Sequence, residues 1–241
     1  TRVRAVMVPR TDMITVDTGT NLNDTMSLFL RSGNSRIPVI GEDADDVRGV
    51  VYLKDAAALL FNSDHEAGQR LTVEDIQREI SFIPESKQVS ELLELMQRET
   101  LHVAIVVDEY GGTAGLVTLE DLIEEIVGEI VDEYDDERPE VEHLENNVMR
   151  LATSMSKDDF QEMFDLNLES EEFEDVDTLG GLFATVLGRV PIVGSEVEVE
   201  NLHLVAERIQ GRRNRISHVV VTIHPREQDS EDQQEARHEY H

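Results

Sequence analysis

Short apolar runs and amphipathic stretches alternate along this chain, and the alternation repeats. In "ITVDTGTNLNDTMSLFL", from Ile14, a brief extended segment leads into apolar residues at helical spacing, Leu22, Met26, Phe29 and Leu30. "SFIPESKQVSELLELMQ", from Ser81, repeats the pattern with Val89, Leu92, Leu93 and Met96. The two segments are offset by 67 residues (81 − 14). Downstream, "SRIPVIGEDADDVRGVVYLKDAAALL" lies over "HVAIVVDEYGGTAGLVTLEDLIEEI" at an offset of 66, which matches Gly49 with Gly115 (115 − 49), Tyr52 with Thr118, and Asp55 with Asp121. A single deletion placed before the second strand reconciles the offsets and sets His102 against Arg36.

Each copy continues with a strand (Ile37 to Ile40; Val103 to Val107), a turn, a second strand (Gly49 to Leu53; Gly115 to Leu119) and a helix. The unit is β-α-β-β-α. A unit of this size has a poor ratio of core to surface, so two copies are expected to pack together and leave a cleft between like strands. In the last helix Leu119, Leu122, Ile123, Ile126, Val127 and Ile130 fall on one face, with Glu120, Glu124, Glu125 and Glu129 elsewhere. Thr118 stands at the N-cap position and Asp121 three residues later, as in a capping box. Capping alone accounts for this pair. A carboxylate at a helix N-terminus after a strand also suits a ribose diol, and the helix terminus favours an anion. "EYGG" reads as a tight turn needing positive φ, because Gly111, Gly112 and Gly115 lack the Lys-Ser/Thr ending of a phosphate loop.

After Val131 the pattern breaks. "DEYDDERPEVEHLENN" is charged and lacks apolar periodicity, so it reads as a linker. Beyond it, Val148 to Ala152, Glu196 to Glu200, Leu202 to Ile209 and Ile216 to Ile223 read as strands, and Ser156 to Phe164 and Thr178 to Leu187 as helices. The fold class is α+β. The chain divides into repeat one (1–64), repeat two (65–132), an acidic linker (133–141), a small α+β domain (142–226) and a disordered tail (227–241).

Charge narrows the functions. Across 241 residues the formal net charge is −31, which repels nucleic acid and anionic lipid. No nucleic-acid partner is expected. The absence of cysteine excludes disulfides, thiolate metal sites and cysteine nucleophiles. His65, His102, His143, His203, His218 and His224 are scattered, without an HExxH pair, and Ser154 and Ser195 have no evident base partner, so no catalysis is expected. Arg208, Arg212, Arg213 and Arg215 form a dense basic patch at a hairpin around Gly211, suited to solubility, to an acidic partner surface or, for a module below a membrane, to membrane headgroups.

The Gly-x-x-Thr-x-x-Asp pattern from Gly115 and the earlier "SRIPV" resemble a tandem cystathionine-β-synthase-type (CBS) pair. "HVAIVVDEYGGTAGLVTLEDLIEEIVGEIVDEYD" is similar to the signature of the CorC/HlyC family of magnesium and cobalt efflux proteins, and "DTLGGLFATVLGRVPIVGSEVEVENLHLVAERIQGRRNRISHVVVTI" to that family's transporter-associated domain, a FAD-binding-like module. The resemblance implies a regulatory module binding ATP with Mg²⁺ between the repeats. Carried over, Thr118 and Asp121 hold the ribose, with Glu120 beside them; Arg36 faces the phosphates; Ser35, Ile37 and Pro38 line the adenine pocket; Thr15 closes it; and His102 approaches the phosphates. Mg²⁺ is expected through the ATP phosphates, since a polyanion meets a strongly acidic chain. Tyr52 stands where the equivalent first-repeat cleft needs Thr or Ser, which suggests one nucleotide per chain. The resemblance further implies a homodimer through the CBS pairs and a transmembrane transport domain, with this soluble part on the cytoplasmic side of the membrane. The competing expectation is a nucleotide-independent acidic cation sensor or dimerisation scaffold.

Overall fold

A computed structural model describes residues 1–63, 66–127, 140–145, 147–168, 170–210 and 215–225, with side chains left out of account at 208–210. Two compact units emerge, Thr1–Asp136 and Glu137–His241. The linker before residue 140, the tail, Ile130, His65, Arg212 and Arg213 lie outside the described residues, as does the Arg208 side chain.

In the first unit, β1 (Val8–Pro9) precedes β2 (Val16–Asp17), α1 (Leu22–Ser32), β3 (Arg36–Ile40), β4 (Val47–Tyr52) and α2 (Leu53–Asn62). A short α3 (Ala67–Arg70) leads to β5 (Ser81–Pro84), α4 (Val89–Glu99), β6 (Val103–Val107), β7 (Thr113–Thr118) and α5 (Leu119–Val127). The β-α-β-β-α repeat is present twice. Its first sheet runs β2-β3-β4 and its second β1-β7-β6-β5, with the leading strand parallel to its neighbour in each repeat. Alternation explains the layering. Ile37 and Val39 join the helix-side core of repeat one, and Ala104 and Val106 that of repeat two. Pro38, Val103 and Ile105 point the other way and are also buried, so each sheet is covered on both faces.

The segments leading into the repeats pack on the opposite repeat. Val3 and Val6 belong to the core of repeat two, and β1 pairs with β7. Val73, from the equivalent 3₁₀ turn before repeat two, sits in the core of repeat one, while Arg78 bridges to Val50 of β4. These crossings give the matched glycines their reason. A Cβ on Gly115 would lie 2.1 Å from the Val8 carbonyl oxygen, and one on Gly49 2.6 Å from that of Arg78. The turn reading thus applies to Gly111, at φ 87°, whereas Gly115 serves close backbone approach.

Register relocates the deletion between the repeats. Both first strands carry an irregularity before their last residue, with Val39 opposite Gly49 and Val106 opposite Gly115. Val39 and Val106 are 67 apart (106 − 39), the glycines 66, so the missing residue falls in the β3–β4 turn rather than before the second strand. Ser35 and His102 then occupy the same place, and their carbonyls accept from Leu53 and Leu119 at 2.9 and 3.0 Å. His102 is the counterpart of Ser35, and Val103 that of Arg36.

The stripe on α5 is wider than the core it covers. Leu122 is buried and Leu119 packs beside it, but Ile123, Ile126 and Val127 are 40, 58 and 60% exposed. Phe61 of α2, matching Val127 in the repeat, is 89% exposed.

The second unit contains β8 (Val141–Glu145), β9 (Val148–Ala152), α6 (Lys157–Phe164), α7 (Leu179–Leu187), β10 (Glu196–Val199), β11 (Leu202–Gln210) and β12 (Arg215–Ile223). The antiparallel sheet runs β10-β11-β12-β9-β8. Ser156 and Thr178 cap α6 and α7 through their side chains. Phe160, Leu179, Leu182 and Phe183 seal one face of the sheet. β8 lies in the stretch whose composition reads as linker. It is an edge strand whose Glu142, His143 and Glu145 tolerate solvent, which hides its periodicity.

Arg150, with its side chain 14% exposed, donates to both oxygens of Glu207 and to Glu142. These hydrogen bonds, that to Glu207 first, raise its pKa well above the ordinary arginine value. Arg150→Met would leave two facing carboxylates; discounting for the exposure of Glu142, the cost is about 2 kcal/mol. Urea denaturation is expected to show the second unit unfolding earlier while the first is unchanged. Coincident parent and variant curves would contradict this.

Candidate functional site

The N-terminus of α5 and the start of β3 meet within the first unit. β7 delivers Thr118 to the N-cap position, and the capping box is complete. The Thr118 N–H and Oγ1 donate to Asp121 Oδ2 at 2.8 and 2.7 Å, and the Asp121 N–H donates to Thr118 Oγ1 at 3.2 Å. Both of the bonds that Asp121 accepts from Thr118 fall on Oδ2. Both residues are half-buried.

Arg36 opens β3 in the other repeat and reaches Glu120, Nη1 to Oε1 at 3.3 Å. Its side chain is 20% exposed, its guanidinium lies 5.6 Å from the Tyr52 ring centroid, and its Nε is buried without a hydrogen-bond partner. An orphaned buried donor carries a desolvation cost that an anion would relieve. Thr118, Glu120, Asp121 and Arg36 are therefore brought together from two repeats.

Among the other expected residues, Ser35 is exposed beside Arg36, and Pro38 is buried on the same strand face as Arg36. Thr15 precedes β2, whose Val16 pairs with Val39, which puts Thr15 level with Pro38. His102 is half-buried one residue before β6, whose Val103 pairs with Thr118. Ile37 faces the helix-side core of repeat one, fully buried, so its side chain supports β3 from behind.

The equivalent first-repeat position is chemically different. Tyr52 makes no side-chain cap to α2. Arg78 grips Asp55 through Nε and Nη2, both at 2.8 Å, and lies 4.7 Å from the Tyr52 ring centroid. The carboxylate that matches Asp121 is already taken. Arg78 escaped the sequence reading because it lies outside the aligned motif, and only its bridge to Val50 brings it beside Gly49.

The donor set fits a guest presenting a diol and an anion. Oδ1 of Asp121 and the α5 terminus suit the first and second, and Arg36 adds a cation. Glu120 and Asp121 put negative charge nearby, so a polyanion would need a counter-cation.

Residues 3–62 and 73–128 match the CBS domain, and residues 142–225 the transporter associated domain CorC_HlyC. The magnesium and cobalt efflux protein CorC of Vibrio cholerae is 37% identical over 213 residues, 88% of this chain and 71% of its own. The chain belongs to the CorC family. A UPF0053 protein of Mycobacterium tuberculosis is 46% identical over 239 residues, 99% of this chain and 54% of its own. The chain spans about half the length of that relative. The solved CBS domain of a bacterial CNNM/CorC family Mg²⁺ transporter is similar with TM-score 0.52 and 44% identity, covering 55% of this chain and 78% of that one. Its complex with ATP gives 0.51 and 45%, covering 54% and 89%. No described helix of this CorC-family chain is long and apolar enough to cross a membrane.

Proposed function

We propose that this chain is the regulatory part of a magnesium and cobalt efflux transporter and binds Mg-ATP between its CBS repeats, one nucleotide per chain. The observation that carries this reading is the meeting of Arg36 from repeat one with the Thr118–Asp121 capping box and Glu120 of repeat two. The likeness to a CBS domain solved in complex with ATP supports it.

In this reading Asp121 and Thr118 hold the ribose hydroxyls, Arg36 exchanges Glu120 for a phosphate, and Ser35, Pro38, Thr15 and His102 border the base and phosphates. Mg²⁺, when bound, offsets phosphate charge beside the acidic helix and keeps water ligands. Arg78 on Asp55 leaves the first-repeat position closed, hence the single nucleotide. The exposed Ile123, Ile126, Val127 and Phe61 give two repeat-related helices an apolar surface for a second copy. Binding that favours one arrangement of the CBS pair then biases the dimer, and through it a transmembrane domain whose cytoplasmic side this part occupies.

Calorimetric titration of ATP tests this. Saturable binding at one per chain in Mg²⁺, weakened at least tenfold in EDTA, is expected. Equal affinity in both conditions would remove the metal, and no binding in either would favour a nucleotide-independent scaffold built on the same exposed helices.

A further inference from the structure

Far from that cleft in sequence, the second unit brings together two histidines and a glutamate that the sequence shows only as scattered. One ligand atom from each of Glu198, His203 and His224 lies within 4.8 Å of the other two. Strand register explains the convergence. β10 and β11 pair Glu198 directly with His203 and Glu196 with Val205. Val197, Val199, Leu202 and Leu204 fill the core, so Glu196, Glu198 and His203 project from the opposite face. β11 and β12 pair His203 with Thr222, and His224 lies two residues on, just past the end of β12. The backbone of His224 is fixed at both ends: its N–H donates to the Asn201 carbonyl, and Asn201 Nδ2 donates to the His224 carbonyl, each at 2.9 Å.

We infer that this face binds a divalent transition-metal ion, of the Zn²⁺, Co²⁺ or Ni²⁺ class, through Glu198, His203 and His224. Imidazole with carboxylate is the donor set of these ions, whereas Mg²⁺ prefers oxygen ligands in octahedral geometry. Bonds of about 2.0–2.1 Å in a tetrahedral site put ligand atoms about 3.4 Å apart. Closing the observed spread to that distance requires the three side chains to move inward, from the Glu198–His203 pair and from the residue just after β12. Glu196 Oε2, 3.3 Å from His203 Nε2, is placed to take the fourth position or to accept a proton from that ring. The ordinary alternative is a surface ion pair between a protonated His203 and its two glutamates, which lie at 3.3 and 4.0 Å. An ion pair accounts for the two glutamates but not for the His224 ring, whose centroid lies 6.3 Å from that of His203; a metal site uses both rings. The bound ion would tie β10, β11 and the end of β12 together.

The test is a titration of Co²⁺ into the full chain, followed by its visible d–d absorption. His238→Ala and His241→Ala are included as background so that tail imidazoles do not contribute. Saturation at one ion per chain is expected, with intensity typical of four- or five-coordinate Co²⁺. Zn²⁺ should displace it and excess Mg²⁺ should not. His203→Ala and His224→Ala should each weaken binding at least tenfold, while their metal-free melting curves stay within about a degree or two of the parent, since His224 is exposed and the half-buried His203 lies on the face opposite the core. Unchanged affinity in the two variants, or displacement by Mg²⁺, would overturn the inference. So would the absence of any Co²⁺ absorption in the parent.

Discussion

Asp121→Ala is expected to weaken ATP binding about a hundredfold. A carboxylate that accepts from both ribose hydroxyls contributes two charge-assisted hydrogen bonds, together about 3 kcal/mol. The same substitution removes the Oδ2 partner of the Thr118 N–H and Oγ1. That half of the capping box contributes about 1 kcal/mol to folding, so the variant should melt a few degrees lower but remain folded. Melting and titration separate the two effects. A variant that loses the degrees but keeps its ATP affinity would mean that Asp121 is a cap and nothing more. Thr118→Ser supplies the complement: it retains the cap hydroxyl and should bind ATP nearly as the parent does.

Gly115→Ala should be the most damaging methyl group added to the first unit, at about 3 kcal/mol, the upper end of overpacking costs. The added Cβ meets backbone rather than a movable side chain: the Val8 oxygen at 2.1 Å and the Val8 carbonyl carbon at 3.1 Å. Relief requires β1 to leave β7, which would draw Val3 and Val6 out of the core they share with Leu92 and Leu122. Gly112→Ala is the control. Its Cβ would meet Asp108 Oδ2 at 3.0 Å, a side-chain oxygen rather than backbone, and Gly112 does not have positive φ. Urea denaturation should therefore show a large loss for Gly115→Ala and less than about 1 kcal/mol for Gly112→Ala. Equal losses would mean that the β1 crossing is not what Gly115 protects.

Much of the first unit was legible because its signals are local and doubled. Apolar spacing in Leu22, Met26 and Phe29 recurs in Val89, Leu92 and Met96, and a pattern seen twice is hard to produce by chance. The capping box was legible because it is local: Thr118 and Asp121 alone define it. What escaped depends on pairing across the chain. The crossing segments are two-residue strands and single 3₁₀ turns, too short for periodicity, and pairings such as β1 against β7 and Arg78 against Val50 reveal them. The equivalence of His102 with Ser35 rests on matching irregularities in β3 and β6, which sequence offsets place one residue away. In the second unit, β8 was masked by charge, and His203 and His224 became neighbours only through the register of three strands. The apolar stripe of α5 was correctly outlined from Leu119 to Val127, but its outer residues face outward, which periodicity cannot distinguish from burial.

Amide hydrogen exchange of the full chain, with and without Mg-ATP, tests the central claim most directly. Nucleotide held between the repeats should slow exchange at two separated places at once, around Ser35 to Ile37 at the start of β3 and around Thr118 to Leu122 at the start of α5, and leave the second unit unchanged. Protection confined to one repeat, or appearing only in the second unit, would contradict a nucleotide site between the CBS repeats.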